Sequence, residues 1–195
     1  ASADLLDWAA KGYSQFGADG VLHKLFSDLG VTNKFYVEFG TQSGVECNTR
    51  RLREVCGWRG LLMDGGFQNA SIGQHKHFIS RENIVPLFKR YRVPREPDLL
   101  SVDINGNEFH VLAALLANGY RPRVVVVEAN FQLPASTDAV ISYDAKHRWD
   151  HTCYGSASIL AFHTMARSFG YSVVLGMPPD LYWVRDDVLV GRRYD

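Results

Sequence analysis

Four acidic residues of this chain share one setting. Glu38 ends the run Phe35-Tyr-Val, Asp64 ends Leu61-Leu-Met, Asp103 follows Leu99-Leu-Ser-Val, and Glu128 closes Val124-Val-Val-Val. Short β-branched and aliphatic runs of this kind read as buried parallel strands. Acids at the ends of successive parallel strands converge on one edge of the sheet, the edge where open α/β sheets bind ligands. Such a rim could hold a cation, accept from ribose hydroxyls, take a proton from a reacting hydroxyl, or ligate a hard metal ion through oxygen. A solvated strand end explains one acid of this sort and struggles with four.

The first strand narrows the ligand. Glu38 is followed by Gly40 and Gly44, and then by Asn48-Thr-Arg-Arg-Leu-Arg-Glu-Val-Cys56. Leu52, Val55 and Cys56 fall on one face there, which predicts a helix with Asn48 or Thr49 as its cap. Strand, glycine turn and helix open a doubly wound α/β domain, and glycine is expected for the tight turn and for a ligand lying against backbone amides. The spacing is E-x-G-x-x-x-G, not the G-x-G-x-x-G of dinucleotide sites, and Glu38 suits an ammonium group better than a diphosphate. Asp64 stands about where an acid for ribose hydroxyls belongs, roughly twenty residues after the glycines. These features point to a nucleoside cofactor. A nucleotide-binding oxidoreductase is the rival enzyme, and a cofactor-binding module without chemistry the rival non-enzyme.

Two stretches carry a family resemblance. The glycine turn resembles motif I of the class I S-adenosylmethionine (SAM) methyltransferases. Asp103-Ile-Asn-Gly-Asn-Glu108 resembles the D-x-[ED]-G-x-E signature after strand four of the FkbM-like O-methyltransferases, and Val125-Val-Val-Glu128 resembles their strand-five signature. Asn105 departs from the pattern, which usually has an acid there. The resemblance runs from about Tyr13 to the end, with distinctive motifs only in residues 35–130. It implies a Rossmann-like α/β fold: a seven-stranded, mostly parallel sheet with an antiparallel C-terminal hairpin and helices on both faces. It also implies methyl transfer from SAM to a hydroxyl of a sugar-like, glycan-like or other small acceptor. On that reading Glu38, Gly40 and Gly44 hold the methionine portion, Asp64 the ribose and Ile79-Ser80 the adenine, with Gln15 and Asp103 also touching the cofactor. Asp103 and Glu128 either bind Mg²⁺ or another divalent cation together with Asn130, or serve as base, with His151 and His110 as further candidates for the base. An [N/D]-P-P-[Y/F] segment is absent, which disfavours methylation of a nucleobase amine.

Helices and loops must position these groups. Residues 4–30 read as helix in two pieces, Asp4–Ala10 and Gly20–Gly30, forming an N-terminal cap over residues 1–30. The polar segment between them, Tyr13 to Gly20, includes Gln15 and could fold over a ligand. A third strand is expected at His75–Ile79; its two histidines share a face but lack a third metal ligand nearby. Ser80 is expected to cap a helix carrying Ile84, Leu87, Phe88 and Tyr91, and further helices are expected over 109–118 and 156–169. Tyr171–Gly176 and Tyr182–Arg185 close the chain as a hairpin. Residues 131–155 form a long irregular insertion, which in a compact domain is functional or disordered. Its aromatics, mixed with His, Asp and Arg, suit an acceptor with hydroxyls and an apolar ring face.

Composition sets the outer bounds. With 195 residues, 46% of them apolar, the chain makes one domain with a sizeable core. A formal net charge of zero disfavours nucleic acid as a partner. Three scattered cysteines argue for a reducing compartment, hence the cytoplasm. No secretory segment opens the sequence, and the longest aliphatic run is far too short to span a bilayer. The expected partner is a small-molecule or carbohydrate acceptor, with homo-oligomer formation left open.

Overall fold

The computed structural model describes residues 4–194. At its centre lie seven strands, β1 (Phe35–Phe39), β2 (Arg59–Asp64), β3 (Gln74–Lys76), β4 (Leu99–Val102), β5 (Val124–Glu128), β6 (Tyr171–Met177) and β7 (Asp180–Arg185). They form one sheet in the order β3-β2-β1-β4-β5-β7-β6. Strands β1 to β5 run parallel, while β7 is antiparallel to both β5 and β6. Helices α1 (Ala18–Leu29), α2 (Arg50–Glu54), α3 (Ile84–Arg90), α4 (Glu108–Ala117) and α5 (Ile159–Ser168) cover its two faces. The fold is therefore the Rossmann-like, mostly parallel sheet with an antiparallel C-terminal hairpin that the strand runs predict. No helix among the described residues is long and apolar enough to cross a membrane.

The strands alternate strictly. Val37, Phe39, Leu61, Met63, Leu100, Val102, Val125 and Val127 pack on one face with residues of α3, α4 and α5. Tyr36, Leu62, Leu99, Val124 and Val126 pack on the other with Leu22, Leu25 and Phe26 of α1 and Leu52 of α2. A period of two with both faces buried makes a strand read as an unbroken apolar run.

Local boundaries depart from the sequence reading where side chains intervene. The first helical piece is a single 3-10 turn, Leu5–Trp8, capped by Asp4; residues 1–3 of the expected cap lie outside the described residues. α1 starts at Ala18 rather than Gly20. Buried Asp19 takes the amides of Gly12, Tyr13 and Ser14 at 2.9, 2.6 and 2.9 Å, folding the preceding segment back onto the helix. β3 ends at Lys76 because its partner there is Asp64, the last residue of β2. α3 begins at Ile84, not after a Ser80 cap. Ser80 and Asn83 exchange hydrogen bonds of 2.9 and 3.3 Å, making a turn ahead of the helix. The cap of α5 is Ser158, whose Oγ accepts from the Ala161 amide at 3.2 Å.

The sheet is fastened at the edge where the parallel strands begin. Asp98, fully buried just before β4, accepts from the amides of Thr32, Asn33 and Lys34 and from the Thr32 hydroxyl at 2.7 to 3.0 Å. Arg123, just before β5, donates to it at 2.8 Å. Burial alone would raise the Asp98 carboxyl, but Arg123 and these donors outweigh it and hold it below the usual carboxylate range. Removing one partner of a buried pair costs roughly 3–5 kcal/mol. Asp98→Ala is therefore expected to lower the thermal midpoint by roughly ten degrees, measured by circular dichroism; a change under about two degrees would remove this residue from the stability account.

Candidate active site

Register brings the four sequence-identified acids to one edge. Phe39 pairs with Met63 on one side and Val102 on the other, and Val102 pairs with Val127. Glu38, Asp64, Asp103 and Glu128 therefore lie at the carboxyl ends of adjacent parallel strands. The antiparallel β7 adds a fifth acid, because Asp180 at its start pairs with Glu128.

The β1–β2 side of the rim is built for a cofactor, yet it is drawn together by the protein's own donors. Glu38 accepts from the amides of Asn48 and Thr49 at 2.8 and 3.0 Å and from the Thr49 hydroxyl. Its carboxyl is raised, mainly by burial, which these bonds only partly offset. Asp64 accepts from the Gln42 amide through one oxygen (2.7 Å) and from the amides of Gly66 and Phe67 through the other (2.7 and 3.0 Å). Gly40 has φ 81°, and a Cβ there would run into the carbonyl of Asp103. The missing side chain thus admits the β4 loop. Gly44 holds φ 80°, a conformation that favours glycine, with the end of the Ile72 side chain packed against it.

Two small cavities open beside these groups. One, about 130 Å³, is lined by Gly40, Gln42, Asp64, Phe78, Ile79 and Asn107 among others. The second, about 30 Å³, is lined by Gln15, Glu38, Asp103 and Asp180, so its walls are anionic. The side chain of His147 borders the first cavity and also an outer groove of about 400 Å³. Its ring lies where a Cβ on Gly106 would sit.

The β4–β5 side carries a carboxylate cluster. One oxygen each of Asp103, Glu108 and Glu128 lies within 4.8 Å of the others. Glu108 is fully buried and takes the amides of Ile104 and Gly106 at 2.8 to 2.9 Å, which shapes the 103–107 loop. Asp103 and Glu128 stand side by side in this cluster. Burial is the largest influence raising all three carboxyls, and at Glu128 the charges of Asp103 and Glu108 add to it. Asp180 is pushed up to about 7 by burial and then by the charge of Asp103. None of the four acids has an ion-pair partner among the described residues. Glu128 Oε2 is buried without a hydrogen-bond partner there, and so is Asn107 Oδ1. Unpaired buried oxygens beside clustered acids fit a hard divalent cation, which takes carboxylate oxygens as ligands.

Several expected site residues are used differently. Ser80 is turned toward Asn83 and α3, while Phe78 and Ile79 line the cleft instead. Asn130 is not part of the cluster: its Nδ2 donates to the carbonyls of Cys153 and Gly155, and its Oδ1 accepts from Gln132. Glu108 is the third carboxylate of the cluster. His110 Nε2 is bound to the Ile141 carbonyl at 2.8 Å, which fixes it as a loop anchor. His151 stacks on exposed Trp149 with ring centroids 4.6 Å apart and borders the outer groove, away from the carboxylates. Gln15 does reach the anionic cavity, where its amide donates to Glu46 at 3.1 Å. Asp180 and His147 were not foreseen. The signal for Asp180 was available, since an acid opening an antiparallel return strand must land on the same rim.

Comparison with known proteins adds little to this geometry. No family model and no curated protein matches the sequence. Among solved structures, the chain is similar to the MycE methyltransferase from the mycinamycin biosynthetic pathway, determined with Mg and SAH, at 17% identity and a TM-score of 0.43. That similarity covers 68% of this chain and 38% of the other, so the chain spans well under half of that protein.

Raised carboxyls make a directional prediction for protein stripped of divalent ions. An unfolded glutamate ionises near pH 4.3, whereas folded Glu128 keeps its proton to much higher pH. The folded state therefore binds more protons above pH 4, and stability falls as pH rises. Glu128→Gln removes this penalty. Its thermal midpoint should match wild type near pH 4 and exceed it by about 2–4 °C at pH 8, corresponding to about 1 kcal/mol. Scanning fluorimetry across that range checks it; a variant equally stable or weaker at pH 8 contradicts the charge account.

Proposed function

We propose that this chain is a SAM-dependent methyltransferase that transfers the methyl group to a hydroxyl of a small acceptor. The observation that carries the reading is the adjacency of an anionic cavity between Glu38, Asp103 and Asp180 and a cleft edge at Asp64 and Ile79. A ligand with a ribose and two positive centres, an ammonium and a sulfonium, matches that sequence of surfaces. The FkbM-like resemblance of residues 103–108 and 125–128 supports the same reading, and supports oxygen rather than nitrogen as the acceptor.

SAM would supply an activated methyl on sulfur; the chain's task is to place and deprotonate the acceptor. Asp64 would take the ribose hydroxyls, exchanging some of the amides that now fill its lone pairs. The unpaired Asn107 Oδ1 borders the same cleft and offers an acceptor. At about 130 Å³ that cleft falls short of the ~300 Å³ at which small-molecule sites begin. His147 must therefore swing away to join it with the outer groove. The acceptor oxygen bonds to the methyl carbon as the carbon–sulfur bond breaks, sulfur keeping the electron pair. The hydroxyl proton passes to the Asp103–Glu128 pair. Alternatively, a divalent cation such as Mg²⁺ held by Asp103, Glu108 and Glu128 would polarise that hydroxyl.

The rival of a binding module without chemistry draws on one observation, that Glu38 and Asp64 are already satisfied by amides. Calorimetry with SAM and, separately, with NAD is the first test: SAM should bind and NAD should not. Asp64→Ala should weaken SAM by about tenfold or more, the cost of one or two good hydrogen bonds. Asp103→Asn should reduce methyl transfer at saturating SAM, read by mass spectrometry, by roughly a hundredfold or more. Turnover untouched by Asp103→Asn would reject the catalytic assignment. Full activity after chelation with EDTA would reject the metal while leaving the base.

A further inference from the structure

The segment 143–152 crosses the cleft beside Asp64 and is tied to the rest of the chain mainly at its start. There Tyr143 donates its hydroxyl to the Glu82 carboxylate, accepts from the Arg81 amide at 3.2 Å, and carries the Arg81 guanidinium 3.9 Å from its ring centre. Next to it, the Asp144 carbonyl accepts from Asn107 Nδ2 at 2.8 Å. Further on, Arg148 lies 4.9 Å from the ring centre of Phe78, a residue of the cleft wall. No backbone–backbone hydrogen bond joins residues 144–152 to another element among the described residues. Asn130 Nδ2 pins the chain again beyond them, at the carbonyls of Cys153 and Gly155. A stretch held in this way, fast at its ends and loose between, opens at little cost.

His147 is the residue of this segment that enters the cleft. Its ring fills the space above Gly106 and meets the Tyr154 ring with centroids 6.1 Å apart. Its Nε2 is buried without a hydrogen-bond partner among the described residues, and Asn107 Oδ1 on the same cleft is left in the same condition. Buried polar atoms without partners are costly. The closed arrangement is therefore held by the Tyr143 end, where charge-assisted bonds are made, and not by His147 itself. A ligand that replaced the imidazole would return Nε2 to water and could give Asn107 its missing donor. Volume favours the exchange too, because His147 stands between a cleft of about 130 Å³ and an outer groove of about 400 Å³.

We propose that residues 143–152 form a strap that shuts the Asp64 cleft, with His147 as its plug and Tyr143 on Arg81 and Glu82 as its latch, so that a nucleoside must compete with the imidazole for one space. The proposal rests on the methyl-transfer reading for the identity of that nucleoside, but the latch is measurable without it. A plug lowers apparent affinity by the fraction of molecules in which it is seated, so calorimetry should show SAM binding about fivefold tighter or more in His147→Ala. Tyr143→Phe, which keeps the ring and loses the bond to Glu82, should tighten SAM by about twofold or more. Weaker binding in His147→Ala would make the imidazole a ligand contact, and unchanged binding a bystander; either overturns the plug. Trypsin reads the latch in the absence of SAM, through fragments cut after Lys146 and Arg148 and identified by mass spectrometry. Their formation should quicken about threefold or more in Tyr143→Phe, while cutting after Lys24, inside α1, stays at the wild-type rate as a control on the fold. Equal rates at Lys146 and Arg148 in the two proteins would overturn the latch. The two readings fail separately: SAM bound equally by wild type and both variants rejects the plug and keeps the cofactor, whereas faster cutting in Tyr143→Phe with SAM bound by none of the three keeps the strap and rejects SAM.

Discussion

Negative charge gathered at one rim, without a cation to answer it, is the constraint on which this molecule turns. Parallel strands end together, so any acid at a strand end joins every other one. Asp103, Glu108, Glu128 and Asp180 meet there, raised by burial and by one another. Two unit charges at 4 Å repel by about 4 kcal/mol at an effective dielectric of 20, a large part of the stability of an ordinary domain. The chain deals with the opposite edge in the opposite way, setting Arg123 and three amides against Asp98. One end of the sheet is thus closed electrostatically and the other left open, needing protons or a positive ligand.

The loops at the open end explain how it stays folded meanwhile. Backbone amides of residues 42, 48, 49, 66 and 67 turn inward to Glu38 and Asp64, while those of residues 104 and 106 turn to Glu108. Charge-assisted bonds of this kind are worth more than neutral ones, so the acids organise the loops that surround them. Gly40 belongs to the same arrangement, its bare α-carbon admitting the Asp103 carbonyl where strand order reverses between β1 and β4. Ligands in doubly wound sheets bind at such a reversal, and here the protein's own backbone crosses it.

Most of the sheet was legible because fully buried parallel strands announce themselves as apolar runs, and an acid at the end of each marks its direction. β3, at three residues, carries no such signal; its extent is set by the length of β2, which no local pattern encodes. Glu108 stood in a recognised signature but read as a helix start; its approach to Asp103 depends on the reversal of the 103–107 loop, with Asn105 at φ 58°. Asn130, His110 and His151 have residue types suited to a site, yet each is spent on a carbonyl, an amide or a neighbouring ring of the 131–155 segment. Residue type states what a side chain can do, and an irregular loop gives no period from which to infer where it points.

Asp103 belongs to both halves of the rim, and that position ties them together. It borders the anionic cavity with Glu38 and Asp180, and it stands beside Glu128 in the carboxylate cluster. A positive charge seated in that cavity stabilises ionised Asp103 and, by offsetting the repulsion felt at Glu128, favours its ionised form as well. The pair titrates as a unit, so what is done to one member is done to both. On the proposed reading, occupation of the cofactor half therefore prepares the acceptor half, and an acceptor hydroxyl meets a pair able to take its proton only once the positive ligand is in place. The coupling needs no moving part, because one carboxylate stands in both fields.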